Sequence, residues 1–204
     1  MAIATKEQTV VDRVAKQLYI GGEWRDASGG ETLVVEDPAT GEALCEVADG
    51  TPEDAKAALD AAVAKQAEWA ATPPNDRSAI LWHVFEALNE RADDLALLMT
   101  LEMGKTVAES NAEIAYSAEF FRWFSGEALR IDGYYKVAGN GASRVLVMRQ
   151  PVGPCFFITP WNFPMAMGTR KVGPAIAAGC TRVWKPPQQT PLSAFALTQL
   201  LEEA

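Results

Sequence analysis

Asn162 stands in the run Thr159-Pro160-Trp161-Asn162-Phe163-Pro164, with prolines on both sides. Proline fixes its own φ and holds the preceding residue extended, so the run reads as a stiff loop presenting a carboxamide. A donor placed before charge develops is what an oxyanion site needs. The same side chain can also hydrogen-bond within its own turn, and the residues alone leave both roles open. The second segment of interest is Lys185-Pro186-Pro187-Gln188-Gln189-Thr190-Pro191. An ammonium ahead of a proline-rich turn suits ribose hydroxyls or phosphate, and equally an ordinary surface lysine. Neither a GxGxxG fingerprint nor a GxxxxGK[ST] phosphate loop occurs in the chain.

Candidates for a nucleophile are few. Cys45, Cys155 and Cys180 are widely spaced and odd in number, which makes neither a disulfide framework nor a CxxC metal site, and no metal is expected. Cys45 falls in an early turn or strand, Cys155 in an apolar strand and Cys180 beside a strand start. Each is expected to be a buried structural thiol rather than an activated one. His83, the sole histidine, lies on a helix among apolar residues and is expected to pack there, out of reach of any triad.

The elements that position these residues follow from periodicity and punctuation. Residues 1–18 read as an N-terminal tail, and Tyr19 to Ala48 as short strands and turns around Gly21-Gly22, Ser28-Gly29-Gly30 and Asp37-Pro38-Ala39-Thr40-Gly41. Thr51 reads as an N-cap, with Pro52 first in the helix and Asp54 third, and that helix runs to about Ala70. Pro73-Pro74 breaks the chain before a second helix carrying Ile80, Leu81, Val84, Phe85 and Leu88. Asp93 or Asp94 is expected to cap a third, which bears Leu95, Leu98, Met99 and Glu102 before Gly104. A fourth spans about Thr106 to Leu129, and its cluster Phe120, Phe121, Trp123, Phe124 reads as core, with one ring free to line a pocket.

Tyr134–Val137 and Ser143–Arg149 then alternate as strands around Asn140-Gly141, a strong hairpin turn signal. Residues 133–150 are therefore expected to form a protruding arm, an exposed ribbon that invites pairing with another subunit. From Pro151 the pattern is strand (Cys155–Ile158, of the fully buried parallel type), helix (Thr169–Ala178), strand (Thr181–Trp184) and a helix starting at Thr190-Pro191. That order begins a doubly wound α/β sheet, in which ligands bind at the carboxyl ends of strands. The expected fold is a partial Rossmann-like parallel sheet with N-terminal helices and a β-hairpin, its main domain made from 19–132 and 151–204.

The 204 residues are 49% hydrophobic and 22% charged, ordinary globular composition. A net charge of −9 disfavours nucleic acid as a partner and serves solubility. Met1 to Gln17 lacks the apolar core of a signal peptide, and no later window is apolar enough to span a membrane. A cytoplasmic protein in a reducing compartment is expected.

The run PVGPCFFITPWNFPMAMGTRKVGPAIAAGCTRVWKPPQQTPLSA resembles the aldehyde dehydrogenase superfamily, with its closest likeness to succinate-semialdehyde dehydrogenases. YIGGEW, DPATGE and LEMGK are similar too, so the likeness covers nearly all of Leu18 to Ala204. The resemblance implies oxidation of succinate semialdehyde, or another short aldehyde, to the acid with NADP or NAD, in a homo-oligomer. It matches Asn162 to the amide that stabilises the thiohemiacetal oxyanion, and Thr159, Pro160 and Trp161 to the loop along the cofactor. Lys185, Pro186, Pro187 and Gln188 match the turn at the adenosine ribose, where the lysine hydrogen-bonds. Arg170 matches an arginine that holds the substrate's far carboxylate, a grip for which a guanidinium is suited. NAD-preferring relatives carry a glutamate at the position of Gln188; a neutral residue there admits a 2′-phosphate, which points to NADP. In the family the nucleophilic cysteine and the glutamate base both lie downstream of this region. The chain alone is accordingly expected to be inactive, and a truncated module that binds cofactor or pairs with full-length subunits is the alternative.

Overall fold

The computed structural model describes residues 5–204. The first segment, expected as a tail, holds helix α1 (Lys6–Asp12), capped by the Thr5 hydroxyl, which accepts from Gln8 N at 3.1 Å. Its Val10 and Val11, with the following Val14, enter the hydrophobic core. Strands β1 (Leu18–Ile20) and β2 (Glu23–Arg25) form one antiparallel ribbon, β3 (Thr32–Glu36) and β4 (Ala43–Ala48) a second. Gly21 and Gly22 turn the first with φ of 68° and 91°, a region closed to most side chains.

Helix α2 (Pro52–Ala71) begins as the residues foretell: Thr51 and Asp54 make a reciprocal capping box with Pro52 in the first turn. Helices α3 (Pro74–Glu90), α4 (Ala92–Met103) and α5 (Val107–Ala128) follow. On α3 the residues 77, 81, 84 and 88 form the buried stripe. His83 lies off that stripe and is exposed, which corrects its expected packing role. The expected aspartate cap of α4 is also absent. α4 leaves α3 after Arg91 alone, whose N–H bonds back to α3, and Asp93 and Asp94 sit in the first turn instead. Asp94 pairs with Arg13 at 3.0 Å and with Lys6 at 3.5 Å, tying α1 to α4. On α5, Phe121 is fully buried while Trp123 faces solvent.

β5 (Tyr134–Val137) and β6 (Arg144–Val147) pair as the hairpin, with Gly141 N bonded to Ala138 O at 2.8 Å and Gly141 at φ 69°. β7 (Cys155–Ile158) and β8 (Arg182–Lys185) are parallel, joined through α6 (Ala166–Ala177), and α7 (Leu192–Glu203) closes the chain. This is a strand–helix–strand–helix unit of Rossmann-like type, with α5 packed on α6 and α4 on α7. β7 is not buried on both faces as expected. Phe157 packs against the core, whereas Phe156 is 61% and Ile158 64% exposed, because only one face of the strand pair is covered.

The approach of α6 to β8 is set by Gly168, where a methyl group would overlap the six-membered ring of Trp184. The indole cannot swing freely, since its Nε1 donates to Thr159 Oγ1 at 3.0 Å. Gly168→Ala should therefore cost about 1–3 kcal/mol of stability, the usual range for overpacking a tight contact. Adding Trp184→Phe should make the pair cost less than the sum of the two single substitutions in urea unfolding. Unchanged stability in Gly168→Ala would show that the indole yields without loss.

Candidate active site

β7 and β8 each end at a loop that leads into a helix, and these loops hold the residues singled out above. Thr159, the first residue after β7, is buried, and its N–H reaches Lys185 O at 3.4 Å. Pro160, Trp161 and Asn162 are exposed beyond it. The loops meet again where the Thr190 hydroxyl donates to Trp161 O at 3.5 Å. The carboxyl ends of both strands thus form one surface, with the Asn162 side chain on it. That carboxamide has no hydrogen-bond partner among the described residues; only the Asn162 carbonyl is engaged, by Lys105 Nζ at 3.4 Å.

Lys185, Pro186, Pro187 and Gln188 line a cavity of about 730 Å3 beside β8, bounded also by α2, α7 and the β1–β2 ribbon. Thr159, Pro160, Trp161 and Asn162 do not line it. Arg182 adds a second cation to its wall. Burial pushes that guanidinium down to about 10, with Tyr19 acting in the opposite sense, so it remains protonated near neutrality. Arg170 lies exposed on α6 and has no ion pair among the described residues.

Two buried carboxylates hold these loops, and the sequence reading assigned neither. α6 and α7 start inside the protein without a side-chain cap of their own. Glu113 of α5 accepts from Met165 N at 3.0 Å and Ala166 N at 3.1 Å, at the start of α6. Glu102 of α4 accepts from Leu192 N at 2.7 Å, from Ser193 N at 2.8 Å and from the Ser193 hydroxyl, at the start of α7. Glu113 is paired with Lys105; Glu102 has no cation among the described residues. Burial therefore pushes Glu102 up to about 7, against its three hydrogen bonds, with the charge of Glu113 adding a smaller push. A signal for both existed: each glutamate falls on the buried stripe of its helix, Glu102 beside Leu95, Leu98 and Met99, Glu113 beside Ser110, Ile114 and Ser117. A charge on an apolar stripe must be satisfied by something.

Cys45 and Cys155 are half-buried rather than fully buried as expected. Burial raises Cys45, with Lys16 opposing, and raises Cys155, with Cys180 adding to the rise. Cys180 is buried. Among the described residues no cluster of histidine, cysteine or carboxylate side chains could hold a metal ion, and no helix is long and apolar enough to cross a membrane.

Loops at the carboxyl ends of parallel strands, each leading into a helix, define an α/β protein of Rossmann-like construction. The family is specific: residues 24–204 match the Aldehyde dehydrogenase family, and the chain belongs to it. It is 53% identical over 161 residues to a succinate-semialdehyde dehydrogenase of Paenarthrobacter nicotinovorans, covering 79% of this chain and 36% of that protein. It is 48% identical to a glutarate-semialdehyde dehydrogenase of Pseudomonas putida, covering 93% and 39%. Among solved structures it superposes on an NADP-dependent enzyme of E. coli with a TM-score of 0.91 at 46% identity, over 93% of this chain and 40% of that one. The chain thus spans under two fifths of the length of these curated relatives.

Glu102 makes stability depend on pH in a definite direction. Its folded pKa of about 7 exceeds its ordinary 4.5, so the folded state holds the proton more tightly. This contribution is complete below the ordinary value and is lost as pH rises through about 7. The stability of the native chain minus that of Glu102→Gln should accordingly fall between pH 5 and 8, by roughly 3 kcal/mol at most. Urea midpoints at several pH values measure it, and a flat or rising difference would show that Glu102 is charged throughout.

Proposed function

We propose that the polypeptide carrying this chain oxidises an aldehyde to a carboxylic acid with NADP or NAD, and that its substrate is succinate semialdehyde or a similar short aldehyde with a far carboxylate. One observation carries the reading. In a chain of the aldehyde dehydrogenase family, the Asn162 carboxamide stands exposed and unpaired among the described residues, on a loop whose backbone is held from behind. Asn162 Nδ2 would donate to the aldehyde oxygen as that oxygen gains negative charge. Arg170, exposed and without an ion pair among the described residues, is the group that would receive the distant carboxylate.

The wall of the 730 Å3 cavity would receive the nucleotide. Lys185 and Arg182 offer cations to phosphate or ribose oxygens, Gln188 offers an amide, and Pro186 and Pro187 stiffen the turn. Thr159, Pro160 and Trp161 would run along the remainder of the cofactor. When bound, the nicotinamide accepts the electrons that the aldehyde gives up. A neutral Gln188 does not repel a 2′-phosphate, and the similar E. coli enzyme is NADP-dependent, which together favour NADP. Residues 19–132 and 151–204 would form the cofactor-binding domain. The 133–150 hairpin, with Tyr134, Tyr135 and Leu146 exposed, would pair with a second copy. A cytoplasmic setting agrees with three free thiols.

Turnover of succinate semialdehyde with NADP by the complete gene product tests the reading. Asn162→Ala should lower kcat about 100- to 1000-fold, as loss of one oxyanion donor does. Arg170→Leu should raise KM for succinate semialdehyde and leave KM for a neutral aldehyde alone. Gln188→Glu should lower kcat/KM with NADP relative to NAD. Nucleotide binding with no aldehyde turnover would replace this reading with that of a non-catalytic module.

A further inference from the structure

We infer that Lys105 and Glu113 are positioning residues for Asn162, acting as one ion-paired clamp on both ends of its loop. The inference rests on the role proposed above for the Asn162 carboxamide. Lys105 follows Gly104, which ends α4 in the left-handed conformation at φ 83°, and precedes Thr106, whose capping box with Glu109 starts α5. From that corner the lysine side chain runs inward. Its side chain is 10% exposed and that of Glu113 1%, and the two form an ion pair. Nζ also donates to Asn162 O at 3.4 Å and lies 4.4 Å from the centre of the Phe163 ring, over its face. Glu113 accepts from the N–H groups of Met165 and Ala166. The segment 162–166 is therefore gripped by the ammonium at its start and by the carboxylate at its end, and each charge neutralises the other.

The division of labour follows from where the bonds fall. Every bond from the clamp goes to the backbone, save the contact with the Phe163 ring, so the Asn162 side chain stays unengaged while its Cα is fixed. A shift of about 1 Å in a catalytic donor can cost on the order of 100-fold in rate. Loss of Lys105 frees the carbonyl of Asn162 and leaves Glu113 buried without its cation, so one grip on the loop is lost and the other loses its partner.

The test uses the complete gene product with succinate semialdehyde and NADP. Lys105→Met should lower kcat about 10- to 100-fold with KM for NADP unchanged, and Lys105→Arg should recover most of the loss. In the Asn162→Ala background, Lys105→Met should slow kcat no further, because a positioning residue has nothing left to position. Equal slowing in both backgrounds, or full kcat in a folded Lys105→Met, overturns the inference. Amide hydrogen exchange on the complete gene product provides a readout independent of aldehyde oxidation. Met165 and Ala166 should be protected in the native chain, should exchange faster in Lys105→Met and should be restored in Lys105→Arg. If the native polypeptide oxidises no aldehyde, the proposed function fails, and exchange alone judges the clamp. Unchanged protection in Lys105→Met then overturns it.

Discussion

A helix that begins inside a protein presents N–H groups that water cannot reach, and both helices of the parallel unit begin that way. α6 and α7 start at Ala166 and Leu192 with no cap from their own sequence, so their first donors are satisfied by Glu113 and Glu102 from the preceding helices. Neither partner is tolerable alone. An unsatisfied buried N–H costs about 1–3 kcal/mol, and a buried carboxylate without donors costs more. Helices α4 and α5 and the parallel unit are thereby one body, joined at the two points where the strands hand over to their helices. Apolar packing of α5 on α6 holds these elements near each other; the carboxylates fix where along its axis each helix starts.

The two devices differ in how charge is treated, and the difference comes from one corner. Gly104 packs against Pro38 and turns the chain so that Lys105 enters beneath Glu113. Glu102, in the last turn of α4, has hydrogen bonds alone, and its acidity weakens to about 7. The motif LEMGK is thus a structural statement: one carboxylate for α7, one glycine for the turn and one cation for the carboxylate that holds α6. Its partners Glu113, Asn162 and Ser193 lie outside the motif, which explains why its structural role is not apparent when it is read locally.

Local signals in the sequence were legible where a residue acts on its neighbours. Thr51, Pro52 and Asp54 announced α2, Asn140-Gly141 announced the hairpin, and the apolar run at 155–158 announced a parallel strand. Judgements of burial were less secure, because they depend on what covers a face: Phe156 and Ile158 belong to a buried-type strand yet stand exposed. His83 shows the same limit on a helix, where one step off the 77-81-84-88 stripe separates core from solvent. The loop of Asn162 and the turn of Lys185 were identifiable by their prolines. Glu102 and Glu113 stood out as charges on buried stripes, but the groups they hold did not, since those are backbone amides more than fifty residues away.

The donor role proposed for Asn162 makes two opposed demands, and its loop meets them with different atoms. Placement requires that the residue be bound to the protein; availability requires that its donor be unbound. Had the carboxamide itself been the anchor, its N–H would be spent on the protein and a reacting oxygen would have to displace that bond. Here the carbonyl of Asn162 and the amides of Met165 and Ala166 take the anchoring bonds, the flanking prolines limit what the backbone can do between them, and the side chain is left free. Rigidity and exposure at one residue are compatible only because the backbone supplies the first and the side chain the second. The buried ion pair behind the loop is the means by which the backbone can do so without a cap of its own.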